Sequence, residues 1–202
     1  QAFTRLLEIG INVGRTGSLN PYAVLEPVVV SGATVRNASL HNEEDIHRKD
    51  IRVGDIVTIE RAGDVIPHVL GPVLDRRPPG TSEFHMPSHC PECGTAIVKP
   101  EDEAMHRCPN ASCPAQFFEL LKHFVSKGAT DIDGLGEQWC RIFIDQGLVS
   151  DLADFYSLRK DQLLELDRMG DKLATRIMAN IEESKQKPLP RLLFALGIIH
   201  VG

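Results

Sequence analysis

Cys90-Pro91-Glu92-Cys93-Gly94 and Cys108-Pro109-Asn110-Ala111-Ser112-Cys113 hold four of the chain's five cysteines, and fourteen residues separate Cys93 from Cys108. Two close-spaced pairs offer four thiolates to one tetrahedral ion, and zinc prefers four sulfurs in a closed structural site. Cys90, Cys93, Cys108 and Cys113 are therefore the expected ligands of one structural Zn2+ per chain. Pro91 stiffens the first turn, and Gly94 is expected to take a positive φ that carries its N–H towards a sulfur. Closing both loops on an ion would fix about two dozen residues whose few apolar side chains cannot support a fold alone. The spacing leaves two other readings open, a pair of disulfides in a secreted domain and idle surface thiols. A four-thiolate set has no open position for substrate, so the metal is expected to be structural and not catalytic.

Composition bounds the rest. The 202 residues are 42% hydrophobic and 25% charged, which suits one or two ordinary domains or several small modules. No apolar run approaches about 18–20 residues, and the first residues lack the basic-then-apolar pattern of a signal peptide. A cytoplasmic protein with reduced thiols and no membrane partner is expected. The chain opens on Gln1 and not on Met, as an excised piece of a longer protein would. Net charge is −6, and acidic residues outnumber basic ones in 1–89 (eleven to nine), 90–127 (five to four) and 128–202 (twelve to nine). No broad positive field is available to coat nucleic acid, so any such contact must come from placed arginines and backbone N–H groups.

Upstream of the cysteines the sequence reads as strands. Ala2 to Glu8 is taken as a helix-like or connecting segment. Ile9 to Val13 alternates, Val24 to Ser31 and Ala33 to Leu40 are rich in β-branched residues, and Ile56 to Arg61 and Val65 to Leu74 complete the set. One helix fits between the third and fourth strands, capped by Asn42, with Asp45 placed as a capping-box acid and Arg48-Lys49 in its last turn. Five short strands with a helix between the third and fourth make an OB-type β-barrel, residues 1–75. Arg15 and Arg61 sit in glycine-rich strings where backbone can approach a phosphate and a guanidinium can hold two of its oxygens. An ordinary barrel-end arginine paired to a carboxylate is the alternative for each. Residues 76–89 read as a linker around Pro78-Pro79-Gly80, with Arg76 and Arg77 as a solvated basic pair. Residues 90–115 form the zinc module.

Beyond Cys113 the pattern is helical, residues 116–202. Phe117, Leu120, Leu121, Phe124 and Val125 form a packing stripe, and His123 beside it is read as partly buried. A turn then recurs: Ile132-Asp133-Gly134-Leu135-Gly136, Leu166-Asp167-Arg168-Met169-Gly170, and Gly197 to Gly202, which lacks a following helix. Such hairpins aim backbone N–H groups and a helix N-terminus at one point, which suits a DNA phosphate and needs no base edge. Gly134, Gly136, Arg168, Gly170 and Gly202 are the candidate contacts. Arg168 stands where the first copy has Gly134, so the second turn is expected to be less tight. A plain helical bundle whose glycines are C-caps is the alternative. Cys140 is read as a small core residue.

Three strings, Val13-Gly14-Arg15-Thr16-Gly17, Asn37-Ala38-Ser39-Leu40-His41-Asn42 and Arg61-Ala62-Gly63-Asp64-Val65-Ile66-Pro67, resemble the OB domain of bacterial NAD-dependent DNA ligases. That family follows its barrel with a four-cysteine zinc module and helix-hairpin-helix repeats, the order found here, so the resemblance runs along essentially all of the chain. It implies a multi-module α+β architecture: a five-stranded OB-type barrel, a four-cysteine zinc finger and a truncated all-α helix-hairpin-helix domain. It implies that Arg15, Thr16 and Arg61 help place a nicked duplex against the adenylylated site. It further implies a parent enzyme that takes AMP from NAD onto a lysine, passes it to the 5′-phosphate at a nick and seals the strand as AMP leaves, with Mg2+ and NAD bound mainly outside this stretch. The family's lysine lies in a Lys-x-Asp-Gly string, which this sequence does not contain. The fragment alone is therefore expected to be inactive, with zinc fixing the angle between the barrel and the hairpins. Nicked duplex DNA and the adenylation domain of the same parent chain are its implied partners, in a monomeric, bacterial, nucleoid-associated enzyme. Two rivals remain at this level: a non-catalytic repair or recombination module binding branched or single-stranded DNA, and an interaction scaffold with no nucleic-acid role.

Overall fold

A computed structural model describes residues 1–60 and 66–198. The chain divides into two compact units, residues 1–110 and 111–202. In the first, β1 (Ala2–Val13), β2 (Leu19–Val30), β3 (Ala33–Ser39), β4 (Ile56–Glu60) and β5 (His68–Pro72) close into a barrel in the order β1-β2-β3-β5-β4. All neighbours are antiparallel except β3 and β5, which meet in parallel at Ser39 and His68.

Ala2 to Glu8, expected as helix or connector, is the first half of β1. Ala2 to Arg5 pair with Ile59 to Ile56 and so join the two ends of the sheet. The register slips between Leu6 and Glu8 on β1 and between Val24 and Val28 on β2. Bulges of this kind bend long strands enough for five of them to close. Leu6, Ala23, Val57, Ile59 and Val69 are fully buried, and Ile46 and Ile51 plug the barrel from the segment joining β3 to β4.

That segment carries α1 (Glu43–Lys49). Asn42 caps it, its Oδ1 accepting from the Asp45 N–H at 2.8 Å. Asp45 does not close a capping box; its carboxylate turns along the helix to Arg48 and to Lys49, 2.7 Å away. Opposite charge one turn on is a stronger attraction for that carboxylate than one backbone N–H.

The second unit is helical: α2 (Pro114–Val125), α3 (Glu137–Asp145), α4 (Lys160–Leu164), α5 (Asp171–Ser184) and α6 (Leu189–Ala195). Its core runs from Phe118, Leu121 and Phe124 through Phe143 and Phe155 to Ile177 and Ile181. The buried stripe of α2 centres on Phe118, while Phe117 packs at its margin. His123 lies 2.7 Å from the Phe194 carbonyl oxygen with its ring edge-on to Phe194, the packing role expected of it. Cys140 is buried, and burial pushes its thiol up to about 11, so it is an inert core residue. No described helix is long and apolar enough to cross a membrane.

Candidate metal centre and nucleic-acid interface

The four cysteines converge. One sulfur from each of Cys90, Cys93, Cys108 and Cys113 lies within 4.8 Å of the other three, and none is in a disulfide. A tetrahedron with zinc–sulfur bonds of about 2.3 Å has sulfur–sulfur edges of about 3.8 Å; the Cys93–Cys108 edge is 3.5 Å. Cys90, Cys108 and Cys113 are buried, and the donor set is four soft sulfurs with no carboxylate. These residues fit a structural zinc ion. The Thr95 hydroxyl, 3.4 Å from the Cys93 sulfur, draws that thiol down to about 6, whereas burial drives Cys108 up to about 12. Cys113 is also the N-cap of α2, with Pro114 at the first helical position, so its thiolate meets the favourable end of the helix dipole. Gly94 takes the expected positive φ of 69°, but its N–H donates to the Cys90 carbonyl oxygen at 2.9 Å and not to a sulfur.

The zinc loops up to Cys108 are fastened to the barrel by the turn between β1 and β2. Arg107 exchanges two backbone hydrogen bonds with Val98, and its guanidinium donates to the Thr16 carbonyl oxygen (3.0 Å) and Oγ1 (3.2 Å). The Cys108 N–H donates to the Gly17 carbonyl oxygen, and the Leu19 N–H to that of His106, both at 2.8 Å. Thr16, a candidate DNA contact by sequence, thus spends its hydroxyl on anchoring the metal loops. Arg15 beside it is exposed, and among the described residues it forms no ion pair. Arg61 and Gly202 lie outside the described residues. A shallow cleft of ≈ 470 Å³ on the barrel is lined by Asn12, Asn20, Tyr22, Asn37 and Ser39 together with apolar Pro21, Ala38 and Ile66, a shelf of mixed polarity at the Asn37–Asn42 string. Gly10 makes room for it: a Cβ there would sit 2.4 Å from the Tyr22 ring.

Arg77 is not a solvated residue. Its guanidinium spans Asp55 (2.8 and 3.0 Å) and Asp50 (2.6 Å), and it also donates to the Asp50 carbonyl oxygen. Asp55 is fully buried and Asp50 holds a left-handed φ of 50° at the end of α1. Nothing local announces this site, because the arginine and its acids lie 22 and 27 residues apart.

The two complete turns repeat one geometry. The Leu135 N–H donates to Ile132 and the Met169 N–H to Leu166, at 3.4 and 3.2 Å. The third residue of each turn is left-handed, Gly134 at φ 95° and Arg168 at φ 64°. The second turn is therefore no looser than the first: Arg168 accepts the strained conformation that glycine takes freely. A Cβ at Gly134 would also crowd Arg176 and Leu173 at 3.3 Å. Gly136 and Gly170 are the N-caps of α3 and α5, and a Cβ at either would meet nothing within 4 Å. Nothing therefore crowds either cap, and the N–H groups of a helix's first turn have no partner within the helix itself. Each helix begins with an acid, and a lysine covers each: Lys122 lies 3.5 Å from Glu137, and Lys160 lies 2.7 Å from Asp171. Gly136, Trp139, Arg141 and Arg168 line one cleft of ≈ 940 Å³, which brings residues of both turns together.

Comparison with known proteins matches two segments of the chain. Residues 3–81 match the family model described as the NAD-dependent DNA ligase OB-fold domain, and residues 89–115 match the NAD-dependent DNA ligase C4 zinc finger domain. A DNA ligase of Dehalococcoides mccartyi (strain CBDB1) is 53% identical over 212 residues, covering 100% of this chain and 31% of the relative. DNA ligases of Listeria monocytogenes serotype 4b (53% over 199 residues, 98% of this chain) and Bacillus cereus strain AH820 (52% over 202 residues, 100%) each match over 30% of their own length. The chain spans about a third of the length of these curated relatives. With a closed five-stranded barrel and four converging cysteines in the two matched segments, the chain belongs to the NAD-dependent DNA ligase family.

Proposed function

We propose that this chain is the part of an NAD-dependent DNA ligase that holds a nicked duplex while the break is sealed. The observation that supports this reading most directly is the duplicated turn. Two left-handed turns lead into glycine-capped helices, each with a lysine over its first acid, and residues of both share one cleft. Phosphate oxygens can approach such helix N-termini without any excess of basic side chains. Contacts of this kind accord with a net charge of −6.

In this reading residues 1–75 are the OB-fold domain, 76–89 a linker, 90–115 the zinc finger and 116–202 a helix-hairpin-helix domain. Exposed Arg15 and the shelf around Tyr22 and Asn37 face the duplex, and Arg61 is assigned the same role from its sequence string alone. Thr16 acts indirectly, by holding Arg107. NAD supplies the AMP that activates the 5′-phosphate, and Mg2+ offsets phosphate charge, both mainly in the adenylation domain of the parent chain. Without a Lys-x-Asp-Gly string, this stretch alone does not adenylylate itself. The parent is a monomeric cytoplasmic enzyme of the bacterial nucleoid. Fluorescence anisotropy with nicked and intact duplexes across a salt series tests the reading. Binding at low salt that favours the nicked duplex, with a shallow salt slope reflecting few cationic contacts, is expected. No binding at the lowest salt would leave an interaction scaffold as the better account.

A further inference from the structure

Outside the cysteine cluster, Glu43, His47 and His85 each place one ligand atom within 4.8 Å of the other two. Glu43 and His47 are one helical turn apart on a single face of α1. His85 comes from the segment between the barrel and the cysteines. That segment is not loosely draped. Phe84 packs on the barrel core, its carbonyl oxygen lies 2.6 Å from His47 Nε2, and the Met86 N–H donates to Glu43 Oε1 at 2.7 Å. The chain is thus pinned to α1 on both sides of His85. If His47 donates its Nε2–H to the Phe84 carbonyl, the tautomer is set and Nδ1 keeps its lone pair. Backbone carbonyls play this orienting part around metal-bound histidines generally. The second carboxylate oxygen of Glu43 lies 3.5 Å from His106 Nε2, which steadies the carboxylate from the other side.

We infer that Glu43, His47 and His85 form a second metal site, for a divalent ion of the zinc or nickel class. Two imidazoles and one carboxylate are too nitrogen-rich for magnesium or calcium, and they lack the thiolates that would select a softer ion. Three protein ligands leave further positions to water. Both histidines are exposed and the carboxylate half-buried, so an ion can enter from solvent. Its effect would be to tie residues 84–86 to the barrel. The site's role is independent of the DNA-binding reading.

The test uses the whole chain already loaded with one zinc per molecule. Calorimetric titration with Ni2+, and separately with Zn2+, is expected to show one further equivalent bound. E43Q keeps one oxygen to accept from the Met86 N–H while removing the charge and the second carboxylate oxygen, and H85A alters an exposed side chain. Each should weaken the second event by about tenfold or more and leave the cysteine-bound zinc in native mass spectra. H47A should do the same and should also abolish the rise in melting temperature that Ni2+ produces in the parent chain. A total that stays at one metal per chain, with no further equivalent taken up, or a second equivalent that survives both E43Q and H85A, would overturn the site.

Discussion

Arg77 shows what a single side chain can decide in this fold. Asp55 is fully buried, and besides Arg77 its carboxylate is met by the Arg52 N–H at 2.8 Å. Asp50 closes α1 in a left-handed conformation, with Arg77 and Arg52 both on its carboxylate. Removing one partner of a buried pair leaves the other charge uncompensated, which costs more than the pair itself contributes. Arg77→Leu is therefore expected to destabilise the barrel by about 3 kcal/mol in denaturant titrations. The hydrogen bonds from Arg77 and then Arg52 hold the Asp50 carboxyl below its ordinary 3.8. A carboxyl depressed in the folded state contributes stability that is complete above the unfolded value and fades as pH falls through the folded one. Stability should accordingly decline from about pH 4 downward, and Arg77→Leu should lose this part of the acid slope. An unchanged midpoint at neutral pH would show that the network is incidental.

Among the elements, the repeated turn is where sequence and conformation can be separated by experiment. The same i to i+3 hydrogen bond and the same left-handed third residue occur in both copies, yet one uses glycine and the other arginine. A non-glycine residue there carries about 1 kcal/mol of strain, partly offset in the unfolded chain by glycine's greater freedom. Arg168→Gly is thus expected to stabilise the helical unit by about 0.5 kcal/mol. If Arg168 reaches phosphate, the same change lowers affinity for nicked duplex about fivefold. A variant both more stable and as tight-binding would place Arg168 outside the interface. These turns are legible in the sequence because glycine, aspartate and a following apolar run signal a hairpin locally, and the cysteine pairs are legible for the same reason. Ala2 to Glu8 is not: Phe3, Leu6 and Leu7 fit no strict alternation, since the register slips between Leu6 and Glu8, and the partner strand lies more than fifty residues away. Arg77 and Arg107 escape notice likewise, the latter's partner Thr16 being 91 residues upstream. Side chains whose meaning is set by closure of the barrel leave no local pattern to read.

At the scale of the molecule, the zinc ion and the barrel should share one stability. The loops that carry Cys90, Cys93 and Cys108 have few apolar contacts of their own, and the bonds joining them to the turn between β1 and β2 come from His106, Arg107 and Cys108. Those residues hold position only while the sulfurs beside them are gathered. Stripping zinc with a strong chelator under reducing conditions would release the Arg107–Thr16, Cys108–Gly17 and Leu19–His106 hydrogen bonds together. At about 1 kcal/mol net for each of these three links, the paired Arg107–Thr16 bonds counted as one link, the loss is about 3 kcal/mol. That corresponds to a fall of about 10 °C in melting temperature for a chain of this size. Hydrogen exchange should then show the amides of Cys108 and Leu19 losing protection while those of Val57 and Ile59, deep in the barrel, keep theirs. Arg107→Ala in the zinc-loaded chain removes one of the three links and should reproduce about a third of the shift with the metal still bound. A chelated chain that melts where the loaded one does, with the Cys108 amide still protected, would mean that the loops hold to the barrel without the ion and that the four thiolates have no part in its stability.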